Sequence, residues 1–186
     1  MEPISIVVIA LVVLLIAWVI GMYNSLVKIR QQCRESWSVI DTELRRRYDL
    51  IPNLVETVKA YAKHESVVLR AVTEARSNAA ASTGSPASQA AEENVLVRAM
   101  RQMYGVVERY PDLKANQNFL KLQEELANTE DRIQAARRFY NANVRDMNTK
   151  VEVFPSNILA GIFGFRREEF FEVEDIGIRI PPEVRA

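Results

Sequence analysis

Residues Ile4 to Met22 read ISIVVIALVVLLIAWVIGM, a run without a single charge. A helix of about 20 such residues crosses the hydrocarbon core of a bilayer. A cleaved signal peptide needs Lys or Arg ahead of its apolar stretch and small residues at its end. Here only Met1, Glu2 and Pro3 precede the run, and WVIGMY (Trp18–Tyr23) is a poor cleavage site. A buried core helix shows a polar stripe, and Ser5 alone does not make one. The run therefore reads as a permanent transmembrane anchor over residues 4–22.

Charge orients the anchor. Nothing basic precedes it, whereas Lys28, Arg30 and Arg34 follow closely and Arg45, Arg46 and Arg47 come next. The excess of cations on the cytoplasmic side of a span predicts a short external N-terminus and a cytoplasmic body. Trp18 and Tyr23 suit an interface, where amphipathic aromatics settle. The expected location is a bacterial cytoplasmic (inner) membrane, crossed once.

Working outward from the anchor, the stripe Leu26, Ile29, Cys33, Trp37, Ile40, Leu44, Tyr48 recurs at spacings of three and four, a helical face. No Gly or Pro interrupts it after Gly21. One helix is expected to leave the membrane and end near Tyr48, where Asp49 and Pro52 signal a new helix start. A second stripe is Leu54, Val58, Tyr61, Glu65, Val68, Val72, Ala75. Asn78–Gln89 (NAAASTGSPASQ) reads as a loop. A third helix carries Leu96, Ala99, Met103, Val106 and Tyr110. A fourth runs from Phe119 through Leu126, Ile133, Tyr140 and Met147 to Phe154, where Pro155 stops it.

The fold class is thus all-α. The N-terminal transmembrane helix continues into an antiparallel four-helix bundle over residues 23–155. An apolar segment and an extended C-terminal tail follow over residues 156–186. The tail (Phe170, Phe171, Val173, Ile176, Ile178, Ile180, Pro181, Pro182) packs on the bundle or docks on a neighbour. In the apolar segment, Ile158, Leu159, Ile162, Phe163 and Phe165 either form a lid on the bundle or make an assembly or membrane contact.

Lys plus Arg and Asp plus Glu number 24 each, so there is no global field for nucleic acid. One cysteine, Cys33, forms no intramolecular disulfide and reads as a small core residue. His64 is the single histidine, and no HExxH, ExxH, CxxC or phosphate-cradling Gly loop occurs. No metal, cofactor or catalytic residue is expected. Carboxylates are the more informative class. Glu65 and Glu130 fall on inward phases, and a buried carboxylate needs a cation. Glu65, Glu130, Arg137 and Arg46 are therefore candidates for a structural polar layer that sets helix register. The weaker alternative is a catalytic acid pair.

Three strings carry a resemblance: RRRYDLIPNLVETVKAYAKHE (Arg45–Glu65), YPDLKANQNFLKLQEELANTEDRIQAARRFYN (Tyr110–Asn141) and FPSNILAGIFGF (Phe154–Phe165). They are similar to the LemA family, over about Tyr23 to Phe171. The resemblance implies an anchored helical bundle in a bacterial membrane and carries no established enzymatic activity. It also implies a link to internal membranes in one branch of the family and membrane metalloproteases as genomic neighbours. Its motif positions include Arg46, Asp49, Pro52, Asn53, Tyr110, Pro111, Asp112, Lys114, Asn116, Glu130, Arg137, Tyr140 and Asn141. Asp49, Pro52 and Asn53, and Tyr110 to Asn116, are read as turns. Asp131 and Ala142 depart from the pattern, which weakens any chemical role there.

The favoured function is a membrane-anchored scaffold that self-associates and organises or shapes membrane, with the lipid bilayer and further copies of itself as partners. The alternatives are an adaptor for a membrane protease or other membrane protein and, weaker, an enzyme using buried carboxylates.

Overall fold

A computed structural model describes residues 3–174 and Ile176. The expectations placed on Ile178, Ile180, Pro181 and Pro182 lie outside the described residues. Every element among those residues is helical: α1 Pro3–Tyr61, α2 Ser66–Ala81, α3 Pro86–Val107, α4 Pro111–Lys114, α5 Gln117–Glu152 and α6 Ser156–Ile162. Two compact units are distinguished. One joins the N-terminal residues to Trp37 with Phe139–Glu168, and the other joins Ser38–Arg138 with the chain from Glu169.

The start of α1 is one helix long and apolar enough to cross a membrane. Its side chains from Ile4 to Trp18 are exposed. Farther along, α1 buries Leu26, Ile29 and Cys33 in the first unit and Ile40, Leu44, Ile51, Leu54 and Val58 in the second. The spacings of three and four keep one face turned inward.

In the first unit, Trp37 lies 5.4 Å from Tyr140, centroid to centroid. Asn143 Nδ2 donates to Gln32 O at 3.3 Å and to Ser36 Oγ at 3.2 Å. Lys150 reaches Ser25 Oγ. In the second unit α2 packs along α3. In α2, Leu69, Val72, Ala75 and Ala79 are buried, and in α3 Ala90, Val97 and Met100 are among the buried residues.

The expected break at Tyr48 does not occur, because α1 runs through Pro52 to Tyr61. Proline lacks the N–H that would bond the carbonyl four residues back, which here is that of Tyr48. Arg76 supplies the missing donor from α2: its Nε lies 3.0 Å from Tyr48 O. Asp49, Pro52 and Asn53 are therefore helical and not a turn. The break comes later, at Ala62–Glu65, and removes Glu65 from the phase of α1.

This arrangement makes a specific coupling. Arg76→Ala should cost about 1–3 kcal/mol, the usual penalty of orphaning a buried polar group. In a Pro52→Ala background the residue 52 N–H is restored and the same change should cost much less. Chemical denaturation of the four proteins of this cycle measures the difference. Equal costs in both backgrounds would show that Arg76 does not serve the Tyr48 carbonyl.

The expected loop at Asn78–Gln89 shrinks to residues 82–85. Three alanines extend α2 because alanine costs least in a helix. Ser85 caps α3 by accepting from Ser88 N, with Pro86 in the first turn. After α6, Gly164 has φ +69°, and Phe165 N bonds Ala160 O at 2.9 Å. That left-handed stop closes the helix end and turns Phe165 inward.

Candidate functional site

Polar groups meet at the core of the second unit. Arg47 is wholly buried on the α1 seam, three residues after Leu44 and four before Ile51. Its Nη2 bonds Glu93 of α3, and its Nη1 donates to Glu130 Oε2 of α5 at 2.9 Å. Tyr48 OH donates to Glu93. Gln89 Nε2 lies 2.9 Å from Glu93 Oε1, 3.1 Å from Tyr48 OH and 3.0 Å from Ala79 O. Side-chain exposure is 0% for Arg47 and Glu93 and 6% for Glu130. One guanidinium thus ties α1, α3 and α5 together. A planar fork with donors on several sides suits two carboxylates better than a lysine would.

Electrostatics follow from that geometry. Burial works against the charged Arg47, but the fields of Glu93 and Glu130 outweigh it and the pKa moves up. The Tyr48 phenol is pushed up by burial, then by the charge of Glu93 and its hydrogen bond. Tyr104 is pushed up by burial, then by Glu130. In the first unit, burial and then Glu168 and Asp146 push the Cys33 thiol from 9.0 to about 11.

These acids hold their protons longer folded than unfolded, so raising the pH favours the unfolded chain, which releases them first. Stability is fully present below the unfolded thiol value near 9.0 and is lost as pH climbs through about 11. The denaturant midpoint should stay level to pH 9 and fall above it. Cys33→Ala should remove the earliest part of that fall, which a pH series of urea titrations checks.

The proposed polar-layer residues are not gathered in one place. Glu130 belongs to the cluster. Arg46 is exposed and Arg47 takes the buried position, since one residue turns a helix by about 100°. Glu65 pairs at the surface with Arg109 at 2.8 Å. Arg137 Nη1 donates to the Val173 carbonyl. Arg47, Glu93 and Gln89 were not singled out from the sequence. Their signal was phase: counting back from Leu96 by three and seven gives Glu93 and Gln89.

Tyr110, Pro111, Asp112, Lys114 and Asn116 form the α3–α4–α5 connection. Tyr110 caps α4, with Pro111 in its first turn. Asn116 Oδ1 accepts from Phe119 N at 3.0 Å and so caps α5, while its Nδ2 donates to Tyr61 OH at 2.9 Å. Lys114 meets Glu108 at 2.6 Å. In the apolar segment, Leu159 and Phe165 are buried, whereas Ile158, Ile162 and Phe163 are exposed.

A cavity of about 270 Å³ borders the cluster, with Tyr48 and Gln89 in its wall and Asp41, Arg45, Asp49 and Arg76 around it. Among the described residues, no group of three His, Cys, Asp or Glu could hold a metal ion.

The LemA family profile matches residues 36–185. This chain belongs to the LemA family. Among its relatives, the magnetosome protein MamQ 2 of Paramagnetospirillum magneticum is 26% identical, over 89% of this chain and 70% of the relative. Protein LemA of Metamycoplasma hominis is 25% identical, over 84% of this chain and 72% of the relative. The magnetosome protein MamQ of Magnetospirillum gryphiswaldense is 23% identical, over 83% of this chain and 66% of the relative. The match begins near Ser36, so the buried cluster and the α3–α5 connection lie inside the family region, and the apolar run lies ahead of it. Family membership and that run agree in describing a membrane-associated helical protein.

Proposed function

We propose that this LemA-family chain is a single-pass, membrane-anchored scaffold that self-associates and organises membrane without catalysis. The observation that supports it most is α1 itself. It begins as an exposed apolar span and continues, unbroken from Pro3 to Tyr61, as a helix whose inner face is core. A helix shared by anchor and body passes the geometry of one to the other. Within the first unit, Ser25 meets Lys150 and Ser36 meets Asn143, so α1 and α5 run in opposite senses there. That pairing supports an antiparallel bundle.

The buried acids favour architecture over reaction. Glu93 and Glu130 are buried and held by a guanidinium, whereas a catalytic carboxylate must reach substrate. Two of the relatives are named as magnetosome proteins. Lys28, Arg30 and Arg34, just after the run, support a cytoplasmic body at an inner membrane.

Crosslinking of the full chain in native membranes at native expression tests the scaffold. Ladders of dimers and higher species are the expected result. Monomers alone would overturn self-association. A single one-to-one complex with another membrane protein would replace the scaffold with an adaptor.

A further inference from the structure

Five large apolar side chains stand out of the α5–α6 corner. Val153 is 52% exposed, Phe154 75%, Ile158 53%, Ile162 69% and Phe163 48%. Single exposed apolar residues are ordinary, but five gathered at one corner of the chain point to a contact surface. Its position identifies the occupant. Tyr23, the first residue beyond the apolar run, lies 4.8 Å from the Phe163 ring and 5.9 Å from that of Phe165. The corner therefore stands level with the end of the span, and both belong to the same compact unit.

The surroundings have interfacial chemistry. A groove of about 410 Å³ beside the corner is lined by Trp18, Met22, Leu26, Lys150 and Ser156, among others. Arg30 lies over Phe165, 4.7 Å from the ring centroid. Tryptophan and tyrosine settle at headgroup depth, and Lys and Arg lay their stems on apolar surface while their charges reach phosphate.

We propose that the α5–α6 corner is a second membrane contact, with Phe154, Ile158 and Ile162 inserted at the headgroup–acyl boundary of the leaflet where the span ends. Continuity with the span selects lipid over a protein partner, because whatever covers these side chains must sit at the depth of the headgroups. α6, at seven residues, is too short to bind a membrane by itself. The adjoining span holds it there and removes the cost of bringing it to the surface. The contact rests on Ile4–Met22 being a transmembrane span.

The test uses the full chain in vesicles of phosphatidylcholine and phosphatidylglycerol. Phe154→Cys, Ile162→Cys and Ile9→Cys are each labelled with an environment-sensitive fluorophore. The native Cys33 is buried and its thiol is pushed up to about 11, so it labels slowly. All three substituted sites are exposed, so the changes leave the core intact. Labels at 154 and 162 should be quenched at least twofold by nitroxides placed near the headgroup and less by deep ones, with the label at 9 showing the reverse. If the label at 9 is deep while those at 154 and 162 escape both quenchers, the corner faces water or protein. The proposal is then wrong and the span stands. If the label at 9 also escapes both, the span reading fails and takes the second contact with it.

Discussion

Arg47→Met should destabilise the full chain by about 3–5 kcal/mol, the usual result of removing one partner from a buried ion pair. The guanidinium is fully enclosed and serves both Glu93 and Glu130. With Met in its place, the acids on α3 and α5 lose the cation they share. Total stabilities are commonly only about 5–15 kcal/mol, so a loss of this size should lower the denaturant midpoint greatly. The triple change Arg47→Met, Glu93→Gln, Glu130→Gln should recover most of it, because the charges leave together. Gln at 93 keeps an acceptor for Tyr48 and Gln89. The comparison also bears on function. If Arg47→Met alone were tolerated to within about 1 kcal/mol, the carboxylates would have to reach solvent by some route. The cluster would then be a cleft wall, and the enzyme reading would gain what the scaffold loses.

The all-helical class and the membrane-length apolar start were legible because both rest on patterns of many residues. A charge-free run and a three-four periodicity survive local error. Individual boundaries were not legible where a distant residue decides them. Pro52 reads as a helix start on local grounds, and only Arg76, 24 residues later, shows why the helix continues. The alanines at 79–81 read as loop beside Gly84 and Pro86, although alanine itself favours helix. In the site, Glu130 was legible from its phase. Arg46 and Arg47 differ by one residue, and only the continuation of α1 past Tyr48 shows that Arg47 joins Ile40, Leu44, Ile51 and Leu54 on one seam. Glu93 lies between the expected loop, which ends at Gln89, and Leu96, where the apolar stripe of α3 begins, so only its phase marks it as inward. The sequence shows which acids need a cation, while the pairing of Glu65 with Arg109 and of Glu130 with Arg47 is a property of three-dimensional neighbours.

Phe171→Ala should be the other large loss, again about 3–5 kcal/mol, as for aromatic truncation in a core. Phe171 is fully buried although its segment has no regular structure, and Val173 and Ile176 are buried beside it in the sequence. The backbone here is held by side chains where a strand would be held by a neighbour. Asn94 donates to Glu172 O at 3.2 Å and accepts from Glu174 N at 2.7 Å, and Arg137 donates to Val173 O. Arg101 adds an ion pair to Glu174 at 2.8 Å, exposed and worth little. A segment without its own helix depends on such anchors, so losing the ring should free the tail as well as weaken the core. Limited trypsin digestion should then cut after Arg166 or Arg167 at least tenfold faster than in the parent protein. Unchanged cutting and an unchanged denaturant midpoint would show that Phe171 is not the anchor. The cost has a consequence for assembly. The described tail covers its own chain, so using it as an arm between subunits would first require releasing Phe171. Self-association is more cheaply built on surfaces that are already bare.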